Sequence, residues 1–315
     1  MNKNVPSVAI ITINLNLKRL TESFIDEVEK QSYPSFHLYI IDNGSLKEQK
    51  IDDKSLQAPW LTYHQLDKNT GFTGGNNKGI ELALKDGHKF IWLVNNDTSL
   101  ELDCLEKLVD CLGQNPQVGI VGPKILYENP PDIIWFAGGK INWKNPFPYT
   151  VCTHIGERIK DKGQFNESKE VDFITGCSML IRREVLEKIG RLDDDYFAYF
   201  EDSDFCLRAK NAGWMSNYCP QAIMRHQVGA LSGVTSPRSS YYQIRNSLLF
   251  VTRWGTLSSQ FLAYLNAVII TFKNIIKLLI PAKRAFARAQ LRAVFDFARR
   301  RFGGLEETND TPTYA

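Results

Sequence analysis

The sequence predicts an α/β protein in which helices cover both faces of a mostly parallel, Rossmann-like sheet. Two observations support this fold class. Runs rich in β-branched residues alternate along the chain with segments of helical spacing, and each candidate strand is almost entirely apolar. Strands buried on both faces have such continuous apolar runs, and the alternation is typical of parallel sheets. The 315 residues, 43% of them hydrophobic, suffice for one large domain with an appendage or for two domains.

The elements follow in order from these patterns. Strands are predicted over residues 7–13, 37–42, 61–66, 89–94 and 118–123, and helices over 17–31, 75–86 and about 101–113. After residue 125 the alternation fades, but 171–181 again has strand character, and a helix is predicted within 199–214, ended by Gly213. Because parallel sheets bind ligands at the carboxyl ends of their strands, polar residues at those ends are site candidates.

The C-terminal part of the chain differs from the rest in charge. The net charge is +3, yet residues 273–301 contain nine Lys or Arg and one acid, Asp296, which leaves the remainder at about −5. Residues 251–302 are predicted to form amphipathic basic helices that lie on an anionic membrane surface. The alternative is a helical pair that packs on the catalytic domain or on a second subunit. Residues 303–315 are predicted to be disordered.

Cysteine spacing and the N-terminus indicate a cytoplasmic location, at the inner face of the cell membrane if the tail binds there. The six cysteines are scattered without CxxC pairs, as expected for free, buried thiols in a reducing compartment. The first residues lack the apolar run of a signal peptide. Between Phe261 and Ile280 the chain is nearly long enough to span a membrane, but Lys273, Asn274 and Lys277 interrupt it.

The stretch "WLVNNDTSL" (92–100) runs a buried strand into Asn95, Asn96 and Asp97. Magnesium prefers oxygen ligands and is commonly held by one or two carboxylates together with substrate phosphates. Asp97 is therefore a candidate metal ligand. The alternatives are an Asx turn, or Asp97 and Thr98 capping a helix that follows.

The stretch "DKNTGFTGGNNKG" (67–79) places four glycines and three amide side chains between a strand and a helix. Glycines permit close backbone approach, and free N–H groups at a helix start attract an anion. The stretch matches neither a P-loop nor GxGxxG, and a mobile surface loop is the alternative.

The acidic stretch "EDSD" gathers Glu201, Asp202 and Asp204 at a helix start. Acids are stabilised there by the helix dipole, which is the structural alternative, but crowded carboxylates also raise each other's pKa, which suits a general base. Since Asp202 and Asp204 point about 200° apart on a helix, different roles are expected. Farther on lies a single histidine, His226, and then Arg238, Arg245 and Asn246, which either contact phosphates or face solvent.

Taken in order, these stretches resemble the family 2 glycosyltransferases with a GT-A fold, and in particular the rhamnosyltransferase-like branch. The matching segments include "IITINLN", "IIDNGS", "NTGFTGGNNKGI", "WLVNNDTSL", "TGCSMLIRREVLEKIG", "YFEDSDFCLRAKNAGW" and "YYQIRN". They cover about residues 8 to 250. The resemblance implies a catalytic domain over 1–250, with a nucleotide-sugar half at about 1–125 and an acceptor half at about 126–250.

The resemblance also implies roles for single residues. Asp202 would be the catalytic base, with Glu201 and Asp204 positioning it or the acceptor. Asp97 would carry the charge of the metal element, with His226 as a further metal or diphosphate ligand. The donor would contact residues at the ends of the first strands and in the glycine-rich stretch: Thr12, Asn14, Asp42, Asn69, Gly71, Asn76, Asn77, Asn95, Asn96 and Arg245. Asn95 departs from the family's usual first aspartate, which bears on metal affinity.

The activity implied by the resemblance is an inverting, metal-dependent glycosyl transfer in cell-surface polysaccharide synthesis, with Mg²⁺ or Mn²⁺ as cofactor. The donor would be a nucleotide-diphosphate sugar, dTDP-rhamnose by the branch, and the acceptor a glycan or a lipid-linked sugar. A homo-oligomer is left open and no nucleic-acid partner is predicted. Two alternatives stand beside this activity. A sugar-phosphate nucleotidyltransferase would carry a glycine-rich loop where this chain has "NLNLKRL", and a non-catalytic sugar-binding scaffold would not need Asp97, Asp202 and His226 together.

Overall fold

A computed structural model describes residues 5–145, 147–228 and 236–305. Within these ranges the strands are β1 (Val8–Asn14), β2 (Phe36–Asp42), β3 (Leu61–Gln65), β4 (Phe90–Val94), β5 (Thr98–Leu100), β6 (Val118–Tyr127), β7 (Ile134–Phe136), β8 (Gly139–Ile141), β9 (Cys152–His154), β10 (Lys169–Glu170), β11 (Ser178–Arg182) and β12 (Met215–His226). The helices are α1 (Lys18–Glu29), α2 (Gly71–Lys85), α3 (Cys104–Gly113), α4 (Arg183–Ile189), α5 (Glu201–Asn211), α6 (Pro237–Trp254), α7 (Leu257–Lys277) and α8 (Arg284–Ala298).

Ten strands form one sheet in the order β10-β12-β6-β11-β4-β1-β2-β3, with β5 added to β12 and β7 to β6. The strands β4, β1, β2 and β3 are parallel to their neighbours, as are β6 and β12. Between these two parallel groups, β11 runs antiparallel to both β4 and β6. The predicted fold class is confirmed, with one reversed strand in the middle of the sheet.

Helices α1 and α2 lie on opposite faces of β1. The side chain of Thr21 in α1 bonds to Asn14, whereas Gly79 in α2 lies against Ile11, which points to the other face. A Cβ atom at Gly79 would come within 2.4 Å of the Ile11 side chain, so α2 packs closely on the sheet through this glycine. Strand β2 lies on one side of β1 and β4 on the other, so the crossovers that lead into β2 and into β4 run in opposite directions across the sheet. Because both crossovers are right-handed, α1 and α2 lie on opposite faces.

The five predicted strands of the first half are confirmed, with β6 extending to Tyr127. The helix predicted at about 101–113 is confirmed as α3, but Thr98–Leu100 forms β5 and pairs with β12 before α3 begins at Cys104, so the alternative of a helix cap at Asp97 and Thr98 is wrong. Thr98 consequently does not cap a helix. The strand predicted over 171–181 is shorter than expected, since ladder pairing begins only at Ser178.

The chain ends in three helices, α6, α7 and α8, that pack on one another. Among the described segments one helix, α7, is long and apolar enough to cross a membrane by length and composition alone, and 28% of its most apolar window is buried. Residues 303–305, assigned from sequence to a disordered tail, are ordered: the Gly303 amide donates to Asp195 O and the Leu305 amide to the Tyr242 hydroxyl. The remainder of that predicted tail lies outside the described residues.

Candidate active site

The turn after β4 places Asp97 beside His226. Asn95 N donates to Cys177 O (3.0 Å), the Thr98 hydroxyl donates to Asn95 O (2.7 Å), and the chain then enters β5. Because Thr98 pairs with His226 in the antiparallel β5–β12 ladder, the preceding Asp97 lies next to the end of β12. The polar stretch 95–97 is therefore a turn between two strands, and it presents the Asp97 carboxylate at the carboxyl end of β4.

The Asp97 and His226 side chains form a nearly buried pair. Asp97 Oδ1 lies 3.3 Å from His226 Nε2, close enough for an ion pair but without hydrogen-bond geometry. Asp97 Oδ1 and His226 Nδ1 are both buried and make no hydrogen bond. Burial by itself lowers the pKa of His226, whereas Cys177 and the Asp97 carboxylate raise it, with a net value of about 10. Without a metal the pair therefore holds a proton, which a bound metal ion would displace from His226.

The pair fits a divalent ion that takes most of its ligands from elsewhere. The described residues contain no cluster of three or more His, Cys, Asp or Glu side chains able to hold a metal. Two protein ligands with unsatisfied atoms match the way Mg²⁺ and similar ions bind, through one or two protein groups, substrate phosphates and water. Asp97 and His226 are thus the residues that would hold such an ion.

The ends of β1, β2 and β4 are joined by a chain of buried hydrogen bonds. Asn14 Nδ2 donates to Asp42 Oδ2 (2.8 Å), the Thr21 hydroxyl to Asn14 Oδ1 (3.0 Å), and Asn96 Nδ2 to the Thr21 hydroxyl (2.6 Å). The Ser45 amide donates to Asp42 Oδ1 (2.8 Å). Asn14 and Asp42 are fully buried, so both carboxylate oxygens of Asp42 face protein donors. In this arrangement the network fixes the floor of the crevice, and Asp42 has no surface exposed to a base.

The glycine-rich stretch begins α2 directly above this floor. Asn69 Oδ1 accepts from Gly71 N (2.8 Å), and Asn43 Nδ2 donates to Gly71 O (2.9 Å). Gly71 has a φ of +78°, and a Cβ atom there would lie 2.4 Å from Phe197 O. Thr73 N also donates to Phe197 O (3.1 Å). The start of α2 is therefore held against the segment that precedes the acidic helix α5, with no room for a side chain at position 71.

Three further residues predicted to line the donor site are largely enclosed. Thr12 is 1% exposed and its hydroxyl makes no hydrogen bond, while Asn76 bonds back to Phe72 O within α2. Asn77 Nδ2 donates to Leu192 O and to Asp194 Oδ1, and Asn77 Oδ1 accepts from Leu192 N. Both amide protons of Asn77 are used in this way. Asn77 therefore ties α2 to residues 192–194 and has no donor left for a nucleotide.

Arg245 also has a structural position, which corrects its expected contact with the donor. It is 1% exposed, and its N–H groups donate to Asn246 Oδ1, the Tyr241 hydroxyl and the carbonyls of Gly303, Asp195 and Tyr196. A guanidinium has five N–H donors, and these five bonds engage all of them. No donor remains to bind a diphosphate.

Of the three acids at the start of α5, only Asp202 is partly exposed. Its Oδ2 accepts from Gly176 N (2.9 Å) and its Oδ1 from Ser203 N (2.6 Å). Glu201 is buried, and burial, followed by the nearby Asp202, raises its pKa well above the ordinary value. Asp202 is therefore the one of these three carboxylates that a ligand can reach.

Asp204 faces the opposite way, as the helical geometry predicted. It is 1% exposed and accepts hydrogen bonds from the Tyr196 hydroxyl (3.2 Å), Arg208 Nε (2.8 Å) and Trp254 Nε1 (2.8 Å). These bonds join α5 to α6 and to the segment before α5. Asp204 therefore fixes the position of the helix that carries Asp202.

The segment 195–200, here called the brace loop, is strained. Phe197, Tyr199 and Phe200 all have positive φ values, between 63° and 73°, immediately before Glu201. Asn246, fully buried in α6, donates from one amide nitrogen to the carbonyls of Tyr196 (2.7 Å), Ala198 (2.7 Å) and Tyr199 (3.0 Å). Strained backbone of this kind persists only where surrounding contacts hold it, and it is concentrated at functional sites.

Residues 176 and 177 lie between the Asp97–His226 pair and Asp202. Gly176 N binds the Asp202 carboxylate, and Cys177 O accepts from the turn that carries Asp97. The pKa of the Cys177 thiol is raised by burial, and it also responds to the charges of His226, Asp97 and Asp202. The structure thus brings these three predicted residues to one rim of the sheet.

Two aromatic residues near this rim, Trp135 and His154, were not predicted from sequence. The Trp135 ring in β7 lies 4.6 Å from the His226 ring and 4.6 Å from the His154 ring, edge to face in both cases. His154 Nδ1 also lies 3.3 Å from Trp135 O. Trp135 contacts the imidazole of His226 from a separate strand, and no local motif marks it.

Comparison with known proteins identifies the family. The model of the family described as glycosyltransferase like family 2 matches residues 6–254. The chain belongs to this family. This glycosyltransferase also shares the GT-A fold with solved structures: the mannosyltransferase PcManGT from Pyrobaculum calidifontis, in complex with GDP-Man and Mn²⁺, superposes with a TM-score of 0.54 at 13% identity, over 94% of this chain and 87% of that one.

Two curated relatives of the glycosyltransferase are named for rhamnose transfer. The dTDP-rhamnosyl transferase RfbF of Shigella flexneri is 25% identical over 266 residues, which cover 80% of this chain and 81% of that protein. The N-acetylglucosaminyl-diphospho-decaprenol L-rhamnosyltransferase of Mycobacterium tuberculosis is 26% identical over 186 residues, 52% of this chain and 58% of that protein. The resemblance to the rhamnosyltransferase-like branch is thereby confirmed.

Proposed function

We propose that this glycosyltransferase moves rhamnose from dTDP-rhamnose to a hydroxyl of a glycan or lipid-linked acceptor, with inversion at the anomeric carbon. The proposal rests on one observation above all. The partly exposed carboxylate of Asp202 and the Asp97–His226 pair flank the same two residues, Gly176 and Cys177. A base on one side of these two residues and a cation-binding pair on the other match the two needs of sugar transfer from a diphosphate.

In the proposed reaction Asp202 accepts the proton of the acceptor hydroxyl as its oxygen attacks the anomeric carbon. The new bond forms on the face opposite the diphosphate, whose bond to the sugar breaks, and a single displacement inverts the centre. The strained brace loop and Asp204 hold α5 so that Asp202 keeps its position relative to the bound donor.

Asp97 and His226 would bind the divalent cation together with the donor phosphates. Such an ion, Mg²⁺ or Mn²⁺, would neutralise the negative charge that develops on the departing diphosphate. The unsatisfied atoms Asp97 Oδ1 and His226 Nδ1 support this assignment. Asn95 and Asn96 flank the pair without adding charge, and Asn96 is already bonded to Thr21.

The choice of sugar and acceptor is supported by the names of the relatives. One of them is a dTDP-rhamnosyl transferase, and another uses an N-acetylglucosaminyl-diphospho-decaprenol, a lipid-linked sugar. By analogy we propose that this enzyme acts in polysaccharide synthesis on the cytoplasmic side of the cell membrane. The family match favours sugar transfer over nucleotidyl transfer, and the scaffold alternative predicts that alanine at Asp97, Asp202 or His226 leaves function unchanged.

The decisive experiment compares Asp202→Asn with wild-type protein in two assays. We expect dTDP-rhamnose binding to persist while transfer to an acceptor falls by about a hundredfold or more, the usual scale of general-base catalysis. Asp110→Asn, an exposed aspartate on α3, is the matched control and keeps full activity. Turnover by Asp202→Asn near the wild-type rate would exclude Asp202 as the base. Hydrolysis of a panel of nucleotide sugars with and without Mg²⁺ or Mn²⁺ identifies the donor.

A further inference from the structure

Helix α7 carries a stripe of large apolar side chains on the outside of the molecule. Phe261, Leu265, Val268, Phe272 and Ile276 recur at steps of three and four, and Leu279 continues the series just past the helix end. These six, here called the outer stripe, are between 46% and 81% exposed. Residues at this spacing lie on one face of a helix, so the stripe is continuous over about 23 Å between Phe261 and Ile276.

The inner face of α7 is the reverse of what a soluble domain normally buries. The buried residues of α7 are small or polar, namely Ser259, Ala263, Asn266, Ala267 and Asn274, while Ile270 packs half-buried against the core. Asn274 Nδ2 donates to Gln290 Oε1 of α8 (2.8 Å). A helix on a globular protein usually turns its apolar stripe to the core. In α7 most of the large apolar side chains, including those of the outer stripe, point away from the protein, which indicates an apolar partner outside it.

The charge around the outer stripe is positive. The only acid in α7 and α8 is Asp296, which is buried and accepts a hydrogen bond from the Tyr241 hydroxyl (2.8 Å). Next to the end of the stripe, Lys277, Lys283, Phe286 and Gln290 line an open hollow of about 290 Å³. Two ammonium groups beside an apolar surface are complementary to the phosphate and acyl parts of an anionic lipid.

The outer stripe is connected to the catalytic helix through aromatic contacts. Phe147 and Tyr149 are 46% and 42% exposed, and the turn that contains Tyr149 packs against α6 and α7. Nearby, Trp143 stacks on Phe250 with ring centroids 5.6 Å apart, and Phe250 lies 5.4 Å from Phe200. Phe200 directly precedes Glu201. A surface docked through α7 therefore lies near the segment that positions Asp202.

We propose that the outer stripe and the adjoining lysine-lined hollow form one docking surface for an anionic lipid bilayer. The stripe enters the acyl boundary while Lys277 and Lys283 bind lipid phosphate. A second copy of this surface fits less well, because it offers no exposed acid to these basic groups: the one acid of α7 and α8, Asp296, is buried. That docking also presents a lipid-linked acceptor to Asp202 is a corollary, and it rests on the proposed sugar transfer.

The test uses the full-length protein and vesicles of phosphatidylcholine with or without phosphatidylglycerol. Wild-type protein is expected to float with the anionic vesicles and to be released by salt, since exposed charges are screened. The double variant Phe261→Ser/Phe272→Ser is expected to bind at least about tenfold more weakly, because two large apolar side chains no longer leave water. Lys277→Glu/Lys283→Glu is expected to lose the preference for anionic vesicles. Leu102→Ser, equally exposed but on the catalytic domain, is the matched control.

Two results would overturn the proposal. One is equal flotation of the double variant and wild-type protein. The other is a wild-type dimer by light scattering that Phe261→Ser/Phe272→Ser converts to a monomer without any vesicle binding, which would make the stripe a subunit interface. Hydrolysis of dTDP-rhamnose in the absence of vesicles checks the catalytic proposal separately. A docking failure with intact hydrolysis therefore leaves the proposed activity in place, and the reverse result leaves the docking surface in place.

Discussion

Replacing Asn246 with alanine tests whether the brace loop matters for catalysis. The variant removes one amide nitrogen that donates to Tyr196 O, Ala198 O and Tyr199 O, together with the acceptor for Arg245 Nε. Asn246 is fully buried, and its side chain bonds to the loop and to Arg245 but not to the acidic helix itself. No substrate contact by Asn246 complicates the result.

The magnitude follows from the strain that these bonds oppose. Each of Phe197, Tyr199 and Phe200 pays about 1 kcal/mol for its left-handed backbone, roughly 3 kcal/mol in all. The two amide protons of Asn246, shared among the three carbonyls, and the bond from Arg245 Nε to Asn246 Oδ1 are worth about 1 kcal/mol each and offset a similar amount. Without these bonds, the strained and the relaxed conformations of the loop are expected to have similar free energies. We expect the free energy of unfolding to fall by about 3 kcal/mol and transfer to fall by at least about tenfold.

Urea unfolding followed by circular dichroism measures the first quantity, and initial rates of sugar transfer at saturating donor measure the second. The transfer rates of the variant and of the wild-type protein are compared without urea, at a temperature where the variant is fully folded. A loss of fold is then not mistaken for a misplaced Asp202. Asn211→Ala, an exposed asparagine at the end of α5, is the control for the substitution itself. A folded Asn246→Ala protein with the wild-type kcat would refute the link between the loop and Asp202.

Three further predictions concern the donor loop, the buried acid and the cation pair. Gly71→Ala should lower the free energy of unfolding by at least about 2 kcal/mol. Gly87 has a similar positive φ but open space around it, so Gly87→Ala should lower the free energy of unfolding by only about 1 kcal/mol. Equal losses would show that the close contact with Phe197 is unimportant. Because the pKa of Glu201 is raised in the folded protein, the folded state binds this proton more tightly, so stability should decline as pH rises above the ordinary pKa of 4.5. Glu201→Gln should flatten that decline in urea titrations from about pH 5 to pH 8. An unchanged pH dependence would contradict the raised pKa of Glu201. Asp97→Ala and His226→Ala should each abolish tight Mn²⁺ binding in the presence of dTDP, measured by calorimetry, and retained affinity in both would remove the pair from the metal site.

The strands and the edge of the sheet that carries the site were predictable, because both depend on local pattern. Apolar runs mark β1, β2 and β4, and polar residues directly after them fall at one edge in any parallel sheet. The opposite orientations of Asp202 and Asp204 also follow from helical geometry. What sequence could not supply were partners from distant parts of the chain. Arg245 reads as a free cation until the carbonyls of Asp195, Tyr196 and Gly303 are seen around it.

The same limit applies to α7 and to the turn after Asp97. The periodicity of α7 predicts an apolar stripe but not the direction in which it faces, since the small residues Ala263 and Ala267 give a second possible packing surface. Thr98 begins a strand because β12 lies beside it, and that neighbour is more than a hundred residues away in sequence. In both cases the local pattern does not say which surface the rest of the protein covers.

The bond between Gly303 and Asp195 has a consequence for how the enzyme is made. The chain leaves the ribosome from its N-terminus, so every acid of the catalytic helix emerges about a hundred residues before Gly303 and Leu305. Until those two residues arrive, the carbonyl of Asp195 and the Tyr242 hydroxyl lack these partners. Biosynthesis therefore completes the support of the brace loop only after all three terminal helices have been translated, and a newly made chain becomes competent late.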